Sequence, residues 1–191
     1  GDYCISGGAD RTVRLWNPEK GLLIKSYTAH AHGVLGVCAS ADNARIASVG
    51  GDKQVFLWDV ATGRVLRKFR GHSSKVNAVE FGAKGDVLGS GGYDRSVRVW
   101  DCRSNSWDPI QTMEPFGDSV TSVAVHEAAI IAGSVDGTVR TVGFAQACAS
   151  AHAARDPSRT GPMGRRTASS SRMRRTTFNY SISSSLHFCH H

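Results

Sequence analysis

The 191-residue sequence has no apolar run of about 18 residues or more, the length that a membrane-spanning helix needs. Its first residues also lack the basic segment followed by an apolar one that marks a secretory signal peptide. The sequence begins without methionine and inside a repeat pattern, which we interpret as a piece of a longer protein. We therefore expect no membrane partner for this stretch.

Cysteines are few and poorly placed for a disulfide framework. They are odd in number, far apart and mostly within strand-like runs: Cys4, Cys38, Cys102, Cys148 and Cys189. Small secreted domains carry dense, even-numbered sets instead. The sequence thus favours a reducing compartment.

Motifs for catalysis and cofactor binding are also missing. There is no glycine-rich phosphate loop, no catalytic pair of carboxylates and no convincing spacing of metal ligands. We therefore expect a protein that is not an enzyme, with no cofactor, no metal and no small-molecule substrate.

The sequence does contain a repeat. Aspartates recur every 42 residues, and the first three are each followed six positions later by a tryptophan. The aspartates are Asp10, Asp52, Asp94 and Asp136, and the tryptophans are Trp16, Trp58 and Trp100. A period of about 40–45 residues built from four short strands is typical of propeller blades.

The second repeat, residues 28–69, shows the strand pattern. Three apolar runs are followed by a fourth, more charged one that we expect at the outer edge. In the third run, Val55 and Leu57 point to one face, and Phe56 and Trp58 to the other. Such a strand needs cover on both sides, which neighbouring blades provide. An all-β sandwich is the alternative, but it requires no fixed period.

A Gly-His-like dipeptide, a serine, a turn aspartate and Trp-Asp together resemble the WD-repeat family over residues 1–142. In that family, histidine, serine or threonine, aspartate and tryptophan form a hydrogen-bonded set that holds each blade together. The resemblance implies an all-β propeller fragment, about three and a half blades of a seven-bladed propeller, acting as a non-catalytic scaffold for protein–protein assembly. The implied sets are His30, Ser48, Asp52 and Trp58; His72, Ser90, Asp94 and Trp100; and Ser6, Asp10 and Trp16 without an upstream histidine.

The repeats divide the chain into units at about 1–27, 28–69, 70–113 and 114–142. The fourth unit keeps Asp136 but has Ala132 and Val142 where serine and tryptophan are expected, so its set is incomplete. About fourteen strands are too few to close a seven-bladed propeller. We expect open apolar ends that favour aggregation or pairing.

Residues 143–191 break the pattern. They carry 7 arginines against one aspartate, whereas residues 1–142 carry 16 Lys/Arg against 15 Asp/Glu. This basic composition, rich in serine and histidine, predicts a disordered tail, and an unrelated reading of the gene is the alternative. RNA binding through Arg165, Arg166, Arg172, Arg174 and Arg175 is a further hypothesis. His187, Cys189, His190 and His191 could bind a transition metal, and the alternative is that they are simply the end of a disordered tail.

Ser48, His30 and Asp52 also match the residue types of a nucleophilic triad. The same three types recur one repeat later, each time with a tryptophan, and catalysis rarely needs duplicates. We therefore interpret both sets as structural.

Partner-binding candidates lie on loops beside the repeats. Tyr93 precedes the turn aspartate, while His32, Ser74 and Lys75 follow the entry to a blade. Exposed aromatic and basic residues on rigid turns suit interface anchors, and ordinary loop surface is the alternative. Trp107 lies outside the repeat and is expected to cover the outer edge.

The run from Trp100 to Arg103 resembles the short Trp-Asp-x-Arg pattern of cullin-4 ubiquitin ligase receptors. That resemblance makes Arg103 an adaptor contact, and an edge salt bridge is the alternative. A narrower resemblance within the WD-repeat family is carried by residues 51–60, 67–72, 100–104 and 132–137. It implies a scaffold of the spliceosome and of mitogen-activated protein kinase modules, in nucleus and cytoplasm. Splicing-complex components and signalling kinases are then the implied partners.

Overall fold

The computed structural model describes residues 3–126 and 129–143. Within them, fourteen strands form four antiparallel sheets, which confirms the all-β prediction. No helix suited to crossing a membrane occurs in the described part of the chain.

The sheets follow one another along the chain, and the strands of each pair in sequence order. We call the sheets blades 1 to 4. Blade 1 contains β1 (Cys4–Gly7), β2 (Thr12–Asn17) and β3 (Leu22–Thr28). Blade 2 contains β4 (Val34–Ala39), β5 (Arg45–Gly50), β6 (Gln54–Asp59) and β7 (Val65–Arg70). Blade 3 contains β8 (Val76–Phe81), β9 (Val87–Gly92), β10 (Val97–Asp101) and β11 (Gln111–Met113), and blade 4 contains β12 (Val120–His126), β13 (Ala129–Ser134) and β14 (Val139–Gly143).

The two terminal blades have three described strands each, for different reasons. Ser6 lies on β1 as Ser48 lies on β5, so β1 takes the place of the second strand of a full blade. Asp136 follows β13 as Asp52 follows β5, so blade 4 shows its first three strands. β14 ends at Gly143, one residue beyond the predicted end of the repeats.

The blades pack face to face, with the first described strand of each blade against the first described strand of the next. β1 contacts β4, β4 contacts β8, and β8 contacts β12. Antiparallel meanders that stack face to face in chain order form consecutive blades of a β-propeller. Each interface between blades is then the place where apolar side chains are buried.

The interfaces hold three apolar clusters, and β6 contributes to two of them. Val55 and Leu57 join the cluster between blades 2 and 3, while Phe56 and Trp58 join the one between blades 1 and 2. All four side chains are at most 1 % exposed, so the two-sided prediction is confirmed. Full burial of each such side chain contributes about 1.5–3 kcal/mol.

Candidate functional site

The turns of blade 3 are held by a hydrogen-bonded set in the interior. His72 lies with Nδ1 2.9 Å from Asp94 Oδ2 and Nε2 2.8 Å from Ser90 Oγ. The Trp100 indole N–H donates to the same serine oxygen at 2.8 Å. With Nδ1–H donated to the carboxylate, Nε2 accepts the serine hydroxyl proton. Every polar atom of this buried set then has a partner.

Blade 2 repeats the arrangement. His30 joins Asp52 Oδ2 and Ser48 Oγ, both at 2.7 Å, and the Trp58 N–H donates to Ser48 at 2.7 Å. Ser48 has no solvent exposure, so a substrate has no path to its oxygen. The arrangement therefore fits a structural set and not a nucleophile.

Blade 1 keeps only one bond of this set within the described residues. The Trp16 N–H donates to Ser6 Oγ at 2.8 Å. Asp10 bonds locally instead, to the Thr12 hydroxyl at 2.8 Å and to the Arg14 guanidinium. Trp16 is half-buried, because blade 1 has a described neighbour on one face only.

The turn aspartates also organise backbone. Asp52 accepts the Ala31 N–H at 3.2 Å and the Gln54 N–H at 3.4 Å, which ties the loop before β4 to the turn after β5. Burial acts to raise the pKa of Asp52, but the hydrogen bond and attraction to His30 outweigh it, so the pKa lies below its usual value. The balance at Asp94 has the same sign, with His72 as the opposing partner.

The residue after each turn aspartate adopts a left-handed backbone. The φ angles are 69° at Arg11, 63° at Lys53, 61° at Arg95 and 77° at Gly137. Three blades therefore place an exposed basic side chain at the same corner, at some backbone cost. The 42-residue spacing of these basic residues was visible in the sequence, and sequence reasoning missed it.

Blade 4 replaces the polar set with apolar packing. The Gly117 N–H donates to Asp136 at 2.8 Å, as Ser73 does to Asp94, so Phe116 takes the place of the histidine. Phe116 packs in one cluster with Ala132 and Val142, the residues at the serine and tryptophan places. The incomplete set is thus a consistent apolar substitute. Hydrogen bonds from Thr138 and Gly117 lower the pKa of Asp136 to about 2.

Four of the five candidate partner-binding residues lie at one end of the blades, beside these turns. Tyr93 is 51 % exposed, and its N–H donates to the Lys75 carbonyl at 2.9 Å. The Lys75 ammonium lies 4.0 Å from the Tyr93 ring centroid, within cation–π range. His32 is exposed and Ser74 half-buried on the equivalent loops of blades 2 and 3. The structure therefore brings Tyr93 and Lys75 together as a pair.

Arg103 and Trp107 lie apart from this pair. Arg103 follows β10 at the opposite end of blade 3, where its guanidinium forms a salt bridge with Asp86. The Trp107 carbonyl accepts the Arg70 N–H at 3.4 Å, so the loop runs along the outer strand of blade 2. The expectation that Trp107 covers this edge holds only for its backbone, because the residue is 63 % exposed.

Three of the cysteines lie among the described residues. Cys4, Cys38 and Cys102 are free thiols, and burial raises the pKa of Cys102 to about 12. In residues 3–126 and 129–143, no group of three or more His, Cys, Asp or Glu is placed to bind a metal. The predicted disordered tail, its arginines and the cluster from His187 to His191 lie outside the described residues, apart from Gly143, which ends β14.

Comparison with protein families agrees with this geometry. The protein-family model described as WD domain, G-beta repeat, matches residues 1–17, 21–59 and 63–101. The repeated blades and their hydrogen-bonded sets define a WD-repeat propeller fragment, and the chain belongs to the WD-repeat family. Proteins of this family are generally non-catalytic scaffolds for protein interactions.

Several relatives share one name. The chain is 64 % identical over 140 residues to WD repeat domain-containing protein 83 of Rattus norvegicus, covering 73 % of the chain and 44 % of that protein. The Xenopus tropicalis protein of the same name is 63 % identical over 140 residues, with coverage of 73 % and 45 %. An uncharacterized WD repeat-containing protein of Schizosaccharomyces pombe is 64 % identical over 141 residues, with coverage of 74 % and 48 %. The chain thus spans less than half the length of these relatives.

Proposed function

We propose that this chain is part of a non-catalytic scaffold that assembles pre-mRNA splicing complexes and organises mitogen-activated protein kinase modules, in nucleus and cytoplasm. The observation that carries the proposal is the contrast at the ends of blades 2 and 3. Buried sets fix the turns of both blades, while Tyr93 and Lys75 stay exposed beside the turn of blade 3. Rigid turns with exposed aromatic and basic groups bind partners at low cost in conformational entropy. Similarity to proteins named WD repeat domain-containing protein 83 supports the same direction.

Affinity purification followed by mass spectrometry tests this proposal. The tagged chain should capture splicing components and signalling kinases, and Tyr93→Ala combined with Lys75→Ala should reduce the capture. Tyr3→Ala is a matched control, because Tyr3 is a 63 % exposed aromatic residue outside these turns. Capture of neither class of partner would refute the assignment.

A second candidate is a cullin-4 ubiquitin ligase receptor acting through Arg103. The side chain of Arg103 is 61 % exposed despite its salt bridge with Asp86, so an adaptor has access to it. Arg103→Ala should abolish pull-down of the adaptor, whereas Asp86→Ala frees the guanidinium and should preserve it. Unchanged pull-down by Arg103→Ala removes this candidate.

A further inference from the structure

A groove of about 380 Å³ runs along the outer edge of blade 2. One wall is β7, and the other is the loop that joins β10 to β11 in blade 3. The groove has no acidic residue in its lining, which consists of Leu66, Arg67, Lys68, Phe69, Asn105, Ser106 and Trp107. No candidate site discussed above uses this surface.

The Arg67 guanidinium in this groove is incompletely satisfied. Its Nη2 donates to Asn105 Oδ1 at 2.9 Å and to the Arg103 carbonyl at 3.4 Å. Its Nη1 is buried and has no hydrogen-bond partner among the described residues. Both present acceptors are neutral, although a guanidinium binds a carboxylate through two parallel N–H bonds. A carboxylate in place of the Asn105 amide would accept one N–H bond from Nη2 and one from Nη1, so that Nη1 also has a partner.

The backbone of β7 offers a second kind of contact. The Arg70 N–H points away from β6 to the Trp107 carbonyl at 3.4 Å. Because backbone groups alternate between the two edges of an antiparallel strand, those of Lys68 point to the same open edge. No backbone group in residues 3–126 and 129–143 pairs with the Lys68 N–H and C=O at this edge. An open strand edge of this kind accepts an extended peptide as an added strand.

Apolar anchors and charge complete the surface. Trp107 is 63 % exposed and Leu66 is 49 % exposed, so both offer apolar area to a ligand. β7 carries three basic residues in six and no acid: Arg67, Lys68 and Arg70. We propose that this groove binds an extended acidic segment of a partner protein, with a carboxylate on Arg67 and a neighbouring apolar side chain on Trp107. This inference rests on the proposed scaffold function and adds the chemistry of one partner segment.

The test uses the full 191-residue chain and a short fluorescent peptide of alternating glutamate and leucine. A second peptide has glutamine in place of glutamate. Fluorescence anisotropy should show the acidic peptide binding about tenfold or more tightly than the glutamine peptide, and less tightly as salt rises. Arg67→Gln should remove the difference between the peptides. The exposed neighbour Arg64 provides the matched control, and Arg64→Gln should retain the difference.

Trp107→Ala should weaken binding of both peptides by about tenfold, since apolar area is lost. Tyr3→Ala is its control, because Tyr3 has the same 63 % exposure. Thermal melts by circular dichroism establish that each variant is folded, and replacing the exposed Trp107 removes no buried packing. If Arg67→Gln does not fold, Arg67→Lys is the second variant. It keeps the positive charge but not the two parallel N–H donors of the guanidinium, so it should still lose most of the preference for glutamate.

Four results would overturn the proposal: no binding of the acidic peptide, equal binding of both peptides, an unchanged preference for glutamate in Arg67→Gln, or wild-type affinity in Trp107→Ala. If the acidic peptide does not bind but splicing components or kinases are still captured, only the proposed peptide site in the groove is refuted. If the peptide binds but neither class of partner is captured, the scaffold function is refuted and the peptide site in the groove is retained.

Discussion

The Ser90 hydroxyl connects His72 and Trp100 in a place without solvent exposure, so its partners have no water to replace it. Ser90→Ala leaves the indole N–H and the imidazole unpaired. We expect the free energy of unfolding to fall by about 1–3 kcal/mol, measured by urea denaturation with tryptophan fluorescence. Ser73→Ala removes an exposed side chain beside the same set and should change stability by less than about 0.5 kcal/mol. A wild-type midpoint for Ser90→Ala contradicts the prediction.

Acid should weaken the blades through Asp52 and Asp94. The pKa of each is lower in the folded protein than in the unfolded chain. Their stabilisation is therefore complete above the unfolded carboxyl pKa of about 4 and is lost as pH falls from there toward the folded value. Urea denaturation at several pH values should show this loss, and Asp94→Asn should reduce its slope. An unchanged slope in Asp94→Asn would count against the assignment.

The residues of the sets in blades 2 and 3 were predictable, because four residue types recur together at a fixed period. Phe116 was not. It lies 44 residues after His72, and the repeat is 42, so alignment by the aspartates does not place it at the histidine position. Only the Gly117 N–H bond to Asp136 reveals the equivalence. The pairing of Tyr93 with Lys75 likewise depends on a backbone bond between two loops.

At the level of strands, Gly50 should tolerate no larger side chain, because the backbone of Gly33 lies close to it. It ends β5, and a methyl group on it would collide with the Gly33 carbonyl oxygen, a backbone atom with little freedom to move. We expect Gly50→Ala to lower the free energy of unfolding by about 1–3 kcal/mol. Gly51→Ala meets its nearest atom, the His32 Cβ, at 3.1 Å and should cost less. Thermal unfolding of both variants measures the difference, and equal melting temperatures would refute it.

Strands were more predictable than the connections between them. Two-sided apolar alternation placed β6 and its faces correctly, since burial on both sides leaves a plain pattern. The loop between β10 and β11 has no period, and its path along β7 depends on a single backbone bond from Arg70 to Trp107. Bulges near the starts of β4, β8 and β12 also leave no mark in the residue pattern.

At the scale of the whole molecule, the middle blades should be the most protected. Within the described residues, blades 2 and 3 are covered on both faces, whereas blades 1 and 4 have one neighbour each. Trp58 and Trp100 are at most 1 % exposed, while Trp16 is only half-buried. Hydrogen–deuterium exchange should be slower in β5 and β9 than in β1 and β14. Uniform exchange across the four blades would contradict this stacking.

The apolar packing of blade 4 also affects the order in which the repeats assemble. Blades 2 and 3 carry interchangeable sets, so a strand shifted by one full repeat finds matching partners there. A strand of blade 4 shifted in the same way sets Phe116 against a serine hydroxyl that has lost its imidazole acceptor, at about 1–3 kcal/mol. The different side chains of blade 4 therefore favour the correct order of the blades over an order shifted by one repeat.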